Sequence, residues 1–572
     1  MSESLTSIPE KPSQGTAARI GWAILIVATL YVSYFSHLGA IGFVGPDEPR
    51  YAWIARDMAE TGDWVTPRLY GKPWFEKPPL YYWAAALCFK VFGVTETAAR
   101  LPSSISALLA TLALAWLAWR LYGGETARWL LLLLPTTVGM IGFSHAAATD
   151  MPFTGMLTIA MVCAAIVLRL APDEEGRASP APTNPAIPWI ALILFGIFLG
   201  LAVLAKGPAA VILSGGAIFF WAIFTKRWRD AFRLLHPATI AAFCLTALPW
   251  YIVCARRNPD FFRIFIIEHN FKRFLTPEFQ HIQPFWYYGP VVLLALLPWT
   301  PAFVWLAVAG GIRVARDKSL SPNATFLVFW MAFSLVFFSV SQSKLPGYIL
   351  PAIPAAGLLL AWGFVKLAPK RARLFGAVTL LLGLAMFVAA EIVGAARIHA
   401  VRDSAPLLYS LLRCLLSLAI PNILLGLGFV VSKNRRFENS CGVLAVVSLT
   451  CFLLFADKIL QDLRPIYWRQ KDLTLQLVAH GVPTERTFVY LAVDRSTRYA
   501  MSFYLHREIT DWDRTSQEEA FVISGSIDCK RLRKEGYDCQ EVPLGNAAEG
   551  WSVSHVMPKT SVCGPAGSGE SK

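Results

Sequence analysis

Thirteen predominantly apolar stretches, most of them near 20 residues long, constrain this chain more than any other feature. A helix rises about 1.5 Å per residue and the hydrocarbon core of a bilayer is about 30 Å thick, so a stretch of that length can cross it. Backbone N–H and C=O groups find no water in lipid, and a helix satisfies them within the segment itself. The composition agrees, with 55% of the 572 residues hydrophobic and 16% charged, against about 25% charged in an average soluble domain. The chain therefore reads as a polytopic α-helical membrane protein. The spans are expected near 20–41, 101–119, 128–145, 152–170, 187–205, 208–225, 237–254, 286–311, 324–341, 348–366, 374–394, 407–431 and 441–459. The first is longer than a secretory h-region and lacks a convincing cleavage site after it, so it is expected to stay as an uncleaved span.

Leu80 to Phe92 is apolar as well, but 13 residues are short for a span and suit a helix lying at the interface. Counting it would reverse the side of every later loop. With thirteen spans, the loops at Arg120–Arg128, Ala171–Pro188, Lys226–His236, Ile312–Asn323, Lys366–Arg373 and Ser432–Asn439 face the cytoplasm, and five of the six carry at least two Lys or Arg. The loop at Pro172–Arg177 is acidic and adds nothing to the argument. Much of the net charge of +14 sits in these short loops. It is a topology signal rather than a nucleic-acid footprint, and no nucleic-acid partner is expected.

The opposite, exported side then holds the first loop, about 42–100, the corners at Asp150, Lys206 and Lys344, and the loop Ala255–Phe285 with its interleaved Arg, Lys and Phe. Two domains are expected: a transmembrane domain over 1–460, and a small exported α/β domain over 461–572 with strand-like runs at Thr487–Leu491 and Ala520–Ile523. Seven of the ten cysteines lie in or beside apolar segments, where they behave as small hydrophobes. Cys529 and Cys539 sit in the tail and are close enough in sequence to join in an oxidising compartment, while Cys563 is expected to stay unpaired.

The ionisable groups of the exported side are the candidates for chemistry. Asp47, Glu48, Arg50 and Tyr51 open a short helix after the first span, and the plain alternative is that one of the acids caps it. Glu76 and Lys77 precede two prolines and an aromatic belt, where a lysine can also simply snorkel to the interface. Asp150, Lys206, and Lys344 with Tyr348 stand at helix ends, positions that capping and the helix dipole favour anyway. Together they bring cations that suit a phosphate and carboxylates that can orient an acceptor or take its proton. No metal-ligand spacing occurs, and the reading needs no cofactor, with a divalent metal left open.

The stretch Gly45–Gly123, the corner Thr149-Asp150-Met151-Pro152, Ala205-Lys206-Gly207-Pro208 and Ser343-Lys344-Leu345-Pro346-Gly347-Tyr348 resemble the ArnT and protein mannosyltransferase superfamily. Asp47-Glu48-Pro49-Arg50-Tyr51 followed by Glu76-Lys77-Pro78-Pro79-Leu80 is most similar to bacterial aminoarabinose transferases that modify lipid A; Pro49 departs from the small residue often found there. The resemblance implies a GT-C fold with thirteen spans and interfacial helices in the first exported loop. It also implies an inverting transfer of a sugar from a polyprenyl phosphate to a lipid or glycolipid acceptor at the periplasmic side of the bacterial inner membrane. Asp47, Glu76 and Asp150 would be the catalytic acids, with Glu48 secondary. Arg50, Tyr51, Lys77, Lys206, Lys344 and Tyr348 would contact donor phosphate and substrate. A different sugar, such as galacturonic acid or a hexose, or a protein acceptor, fits the same motifs. A transporter or flippase fits less well, because midplane ionisable groups and repeated halves are absent from the sequence.

Overall fold

The computed structural model describes residues 16–172, 188–272, 275–276, 282–317, 320–366, 369–398, 405–431, 435–454, 469–489, 493–513, 518–524, 529–543 and 552–558. The chain divides into two compact units. One is Met1–Ser36, Ser103–His145 and Thr149–Ala456; the other is His37–Pro102, Ala146–Ala148 and Asp457–Lys572.

The first unit is helical and multi-pass. Among the described residues seven helices are long and apolar enough to cross a membrane: Thr16–Phe35, Glu96–Tyr122, Asp150–Val167, Trp189–Lys206, Pro237–Arg257, Pro322–Val340 and the run Pro346–Lys366. Gly124–Leu133 and Val138–Ser144 would make an eighth if taken as one span bent by 62°. The bend has a local cause: Pro135 cannot continue the hydrogen-bond ladder, and Thr137 restarts it by accepting from the Met140 amide at 3.4 Å. The expected count of thirteen is therefore not reached by length and composition. The other expected spans coincide with shorter apolar helices, among them Ala209–Thr225, Gly376–Ile392, Leu415–Val431 and Asn439–Leu454, and the span near 286–311 is split into Phe285–Ala295 and Thr300–Ile312.

Small residues let one pair of helices approach closely. Trp189–Lys206 lies against Pro237–Arg257 through Gly196 and Gly200, four residues apart on one face. A Cβ at Gly196 would fall 2.4 Å from the Thr239 carbonyl oxygen, and one at Gly200 would fall 2.9 Å from Thr246 Cβ. Backbones held this close gain packing that lipid cannot replace.

The second unit has two parts. In the stretch 37–102, helix Asp47–Thr61 packs on helix Leu80–Phe92, which has the 13 residues expected. Their shared core is Tyr51, Ile54, Ala55, Met58, Tyr81, Tyr82 and Phe89, all buried. Between them β1 (Arg68–Leu69) and β2 (Lys72–Pro73) form a hairpin turned by Tyr70 and Gly71, both at positive φ as a two-residue turn requires.

The C-terminal part carries a four-stranded sheet from β3 (Thr487–Val489), β4 (Ala520–Ser524), β5 (Tyr537–Glu541) and β6 (Ser552–Pro558), in the order β3-β4-β6-β5. The pair β3–β4 is parallel and the other two pairs are antiparallel. Both sequence-expected strands are present as β3 and β4, although residues 490 and 491 lie outside the described set. Cys529 and Cys539 form a disulfide with Cα atoms 5.4 Å apart, joining helix Cys529–Lys534 to β5. Cys563 lies outside the described residues.

Candidate active site

Gly45, at φ 67°, turns the chain into helix Asp47–Thr61. Pro46 at the N-cap has no side-chain acceptor. Glu48 reaches back outside the helix, its Oε2 accepting from the Val44 amide at 2.7 Å. Its Oε1 accepts from the Ala147 amide at 2.6 Å, and Arg100 donates to both oxygens at 3.1 and 2.7 Å. Arg100 in turn donates to the carbonyls of Leu38, Ile41 and Gly42 at 2.7 to 2.9 Å. Both side chains are buried. A carboxylate so fully occupied is structural: the secondary-acid role expected of Glu48 finds no open lone pair here.

Asp47 is different in kind. Its side chain keeps 49% of its surface exposed while accepting from Arg50 Nη2. The same Nη2 lies 3.1 Å from Glu76 Oε2, so the helix and the Glu76-Lys77 segment are tied through one guanidinium. Arg50 is 6% exposed, with the rings of Tyr51 and Trp74 each 5.3 Å from its Cζ and that of Tyr499 at 5.8 Å. Burial works against its charge, but Glu76, Tyr51 and Asp47 outweigh it and raise the guanidinium above its ordinary value. Burial also holds the Tyr51 and Tyr82 phenols well above theirs, so both remain neutral. Three buried donors around this cluster, Arg50 Nε, Trp74 Nε1 and Tyr82 Oη, have no acceptor among the described residues. Leaving a buried donor unmet costs about 1–3 kcal/mol, which makes this a place for an incoming oxygen. Lys77 follows Glu76 and is partly buried.

A second cluster sits in the helical unit. Lys206, the last residue of its helix, donates to Asp150 Oδ1 at 2.5 Å, and its Nζ is 4.5 Å from the Tyr348 ring centre. The sequence Pro346-Gly347-Tyr348 explains the fit. A Cβ on Gly347 would be 2.6 Å from Asp150 Oδ1, so only glycine lets the turn close over the pair. Lys344 is buried and donates to the carbonyls of Ser341 and Gln283 at 2.5 and 3.0 Å; burial lowers its pKa.

Of the expected residues, Asp47, Arg50, Tyr51 and Glu76 thus gather in one unit, and Asp150, Lys206 and Tyr348 in the other. Lys344 has a carbonyl cage of its own. Trp74, Tyr82 and Tyr499 were not singled out from sequence. Trp74 and Tyr82 flank Glu76-Lys77 in an aromatic run that reads as a membrane-interface belt, and nothing in the sequence ties Tyr499 to Arg50. No group of three or more His, Cys, Asp or Glu side chains is placed to hold a metal ion among the described residues.

Comparison with known proteins gives the arrangement its setting. The model of the dolichyl-phosphate-mannose-protein mannosyltransferase family matches residues 20–265. The chain is 32% identical over 371 residues to a protein of Edwardsiella ictaluri named undecaprenyl phosphate-alpha-4-amino-4-deoxy-L-arabinose arabinosyl transferase, covering 64% of this chain and 63% of that one. It is likewise 32% identical over 346 residues to the protein of the same name in Pseudomonas aeruginosa, covering 60% of each. The matched region is thus less than two thirds of these relatives' own length. In fold the chain is similar to ArnT from Cupriavidus metallidurans, solved bound to undecaprenyl phosphate, with a TM-score of 0.74 at 22% identity over 94% of this chain and 98% of that one. Over part of its length the chain is thus similar in sequence to the dolichyl-phosphate-mannose-protein mannosyltransferase family and to bacterial proteins named as arabinosyl transferases, and over nearly all of it similar in fold to ArnT.

Proposed function

We propose that the chain is an inverting glycosyltransferase that moves an aminoarabinose-type sugar from undecaprenyl phosphate to a lipid A phosphate, at the periplasmic face of the bacterial inner membrane. One observation carries the reading: a buried guanidinium, pinned by two carboxylates on one nitrogen, keeps its Nε unmet beside the half-exposed carboxylate of Asp47. The names of the sequence relatives and the ligand of the Cupriavidus structure supply the donor class.

In this reaction an anionic acceptor oxygen attacks the anomeric carbon. The bond from that carbon to the donor phosphate oxygen breaks, and its electron pair leaves with undecaprenyl phosphate. Charge grows on the departing phosphate, so cations at its oxygens favour the transition state over the bound ground state. Arg50 and Lys77 are assigned to that phosphate. An acceptor phosphate has no proton to lose in the attack, so Asp47 acts by orienting it and the sugar rather than as an obligatory base. Glu76 holds Arg50 in place, and Tyr51 packs on the face of its guanidinium. For the second cluster, Lys206 and Lys344 are assigned to lipid phosphate, with Asp150 and Tyr348 orienting Lys206; one of the three N–H donors of Lys206 is used by Asp150.

The test is mass spectrometry of lipid A and of total protein from cells carrying the full chain, the Asp47→Asn chain, or neither. A pentosamine-sized mass gain on lipid A that only the unaltered chain gives is the expected result. A gain of hexose or hexuronic acid would change the sugar, and a gain confined to proteins would overturn the lipid A acceptor.

A further inference from the structure

The C-terminal segment is not needed by anything derived so far, yet one of its side chains reaches Arg50. Helix Arg495–Leu505 begins at an N-cap, Asp494, whose carboxylate accepts from the Thr497 amide at 3.0 Å and its hydroxyl at 2.6 Å. Its far end is held on the first exported loop. Tyr504 Oη donates to Glu96 Oε1 at 3.0 Å and accepts from the Phe43 amide at 3.2 Å, and the Phe503 and Phe43 rings meet edge to face at 4.8 Å. Lys471 adds a second bond to Glu96 at 2.6 Å. With its C-terminal end held there, Tyr499 falls where its ring centre is 5.8 Å from Arg50 Cζ. Tyr70 stacks against Tyr499 at 6.4 Å and Trp53 backs Tyr70 at 4.7 Å, so the ring has little freedom to swing away.

The edges and faces of the Arg50 guanidinium are shared out. Carboxylates take one edge, while Tyr51, Trp74 and Tyr499 offer rings. Only Tyr499 comes from outside the first exported loop. We propose that Tyr499 is a positioning residue: the C-terminal segment supplies the ring that completes the cage around Arg50 and aims its unmet Nε at the donor phosphate, so that the segment helps set donor affinity rather than serving as an appendage. This rests on the assignment of Arg50 to a polyprenyl phosphate made above.

The experiment measures binding of undecaprenyl phosphate to the full-length chain in nanodiscs, by ligand-induced thermal stabilisation, for the unaltered protein and for Tyr499→Leu, Tyr499→Phe, Arg50→Lys and the double variant Tyr499→Leu with Arg50→Lys. A cation–π contact of about 1 kcal/mol corresponds to roughly a fivefold weaker Kd for Tyr499→Leu, and Tyr499→Phe, which keeps the ring, should recover to within about twofold. The decisive result is coupling: once Arg50 is lysine, removing the Tyr499 ring should cost little more. If Tyr499→Leu fails to fold, Tyr499→Met, flexible and of similar bulk, takes its place in the cycle. Normal binding by the ring-less variant, or a loss that simply adds to that of Arg50→Lys, would overturn the role of Tyr499 and leave the donor assignment standing. Absence of undecaprenyl phosphate binding by the unaltered chain would overturn the donor assignment and this inference with it.

Discussion

At the start of helix Asp47–Thr61, two neighbouring acids have been given opposite work. Glu48 is buried against Arg100, and removing one partner of such a pair leaves the other charge unmet in a dry site, at a cost of about 3–5 kcal/mol. Glu48→Ala should therefore lower the melting temperature and the yield of folded protein, with any loss of transfer following from that. Asp47→Asn keeps the shape of a half-exposed side chain, so melting should shift little while sugar transfer to lipid A falls. Thermal unfolding and lipid A mass spectrometry on the same two preparations separate the outcomes; equal loss of stability in both would refute the division. The adjacency of the acids was visible in the sequence, and so was the capping alternative. Neither acid caps the helix, and which of them is buried was not visible, because Arg100 lies 52 residues from Glu48 and nothing local marks it as the partner. The pairing of Arg50 with Glu76 was hidden for the same reason.

Among the elements, period and length carried most of the information. Segments of apolar sequence became helices, and the short one at Leu80–Phe92 has the length expected of it. Breaks inside expected spans were less visible, since they depend on where a proline falls relative to a cap, as at Pro135 and Thr137. Helix contacts were not legible at all, although Gly196 and Gly200 offered a hint. Gly196→Leu would push a side chain into the backbone of the facing helix, where a Cβ alone comes within 2.4 Å of a carbonyl oxygen. Overpacking of this sort costs about 1–3 kcal/mol or more, and a lower melting temperature in detergent should report it. In helix Arg495–Leu505 the cap is the weak point. Burial opposes the Asp494 charge, but hydrogen bonds from Thr497 and Ser496 outweigh it and hold the carboxyl below its ordinary value. The stabilisation is therefore complete at neutral pH and is lost as pH falls through that lowered value, beneath the usual aspartate range of about 4. Asp494→Ala should cost about 1 kcal/mol at pH 7 and abolish that part of the acid dependence, as read by unfolding from pH 7 downward.

For the molecule as a whole, the side of the membrane on which each segment lies decides the chemistry open to it. The positive-inside rule makes the cytoplasm the expected side for Arg120, and the disulfide between Cys529 and Cys539 is a bond that persists in oxidising compartments. Reporter fusions after Arg120 and after Lys572 should accordingly score on opposite sides. Fusions on the same side would mean that Leu80–Phe92 crosses, or that another segment has been miscounted. The grouping of residues 37–102 with residues 457–572 in one compact unit was beyond the sequence, which suggests a break near 460 and gives no sign of what the later residues fold with.

The bonds around Glu48 also act as a rotational stop. Successive residues of a helix point about 100° apart, so a side chain held by four hydrogen bonds sets the azimuth of the whole first turn, Asp47 and Arg50 included. One alanine inserted between Asp47 and Glu48 would leave the bonds of Glu48 to Arg100 and Ala147 available and swing Asp47 about 100° around the axis, away from Arg50. The buried acid works like the key in a shaft, and its half-exposed neighbour is aimed by it.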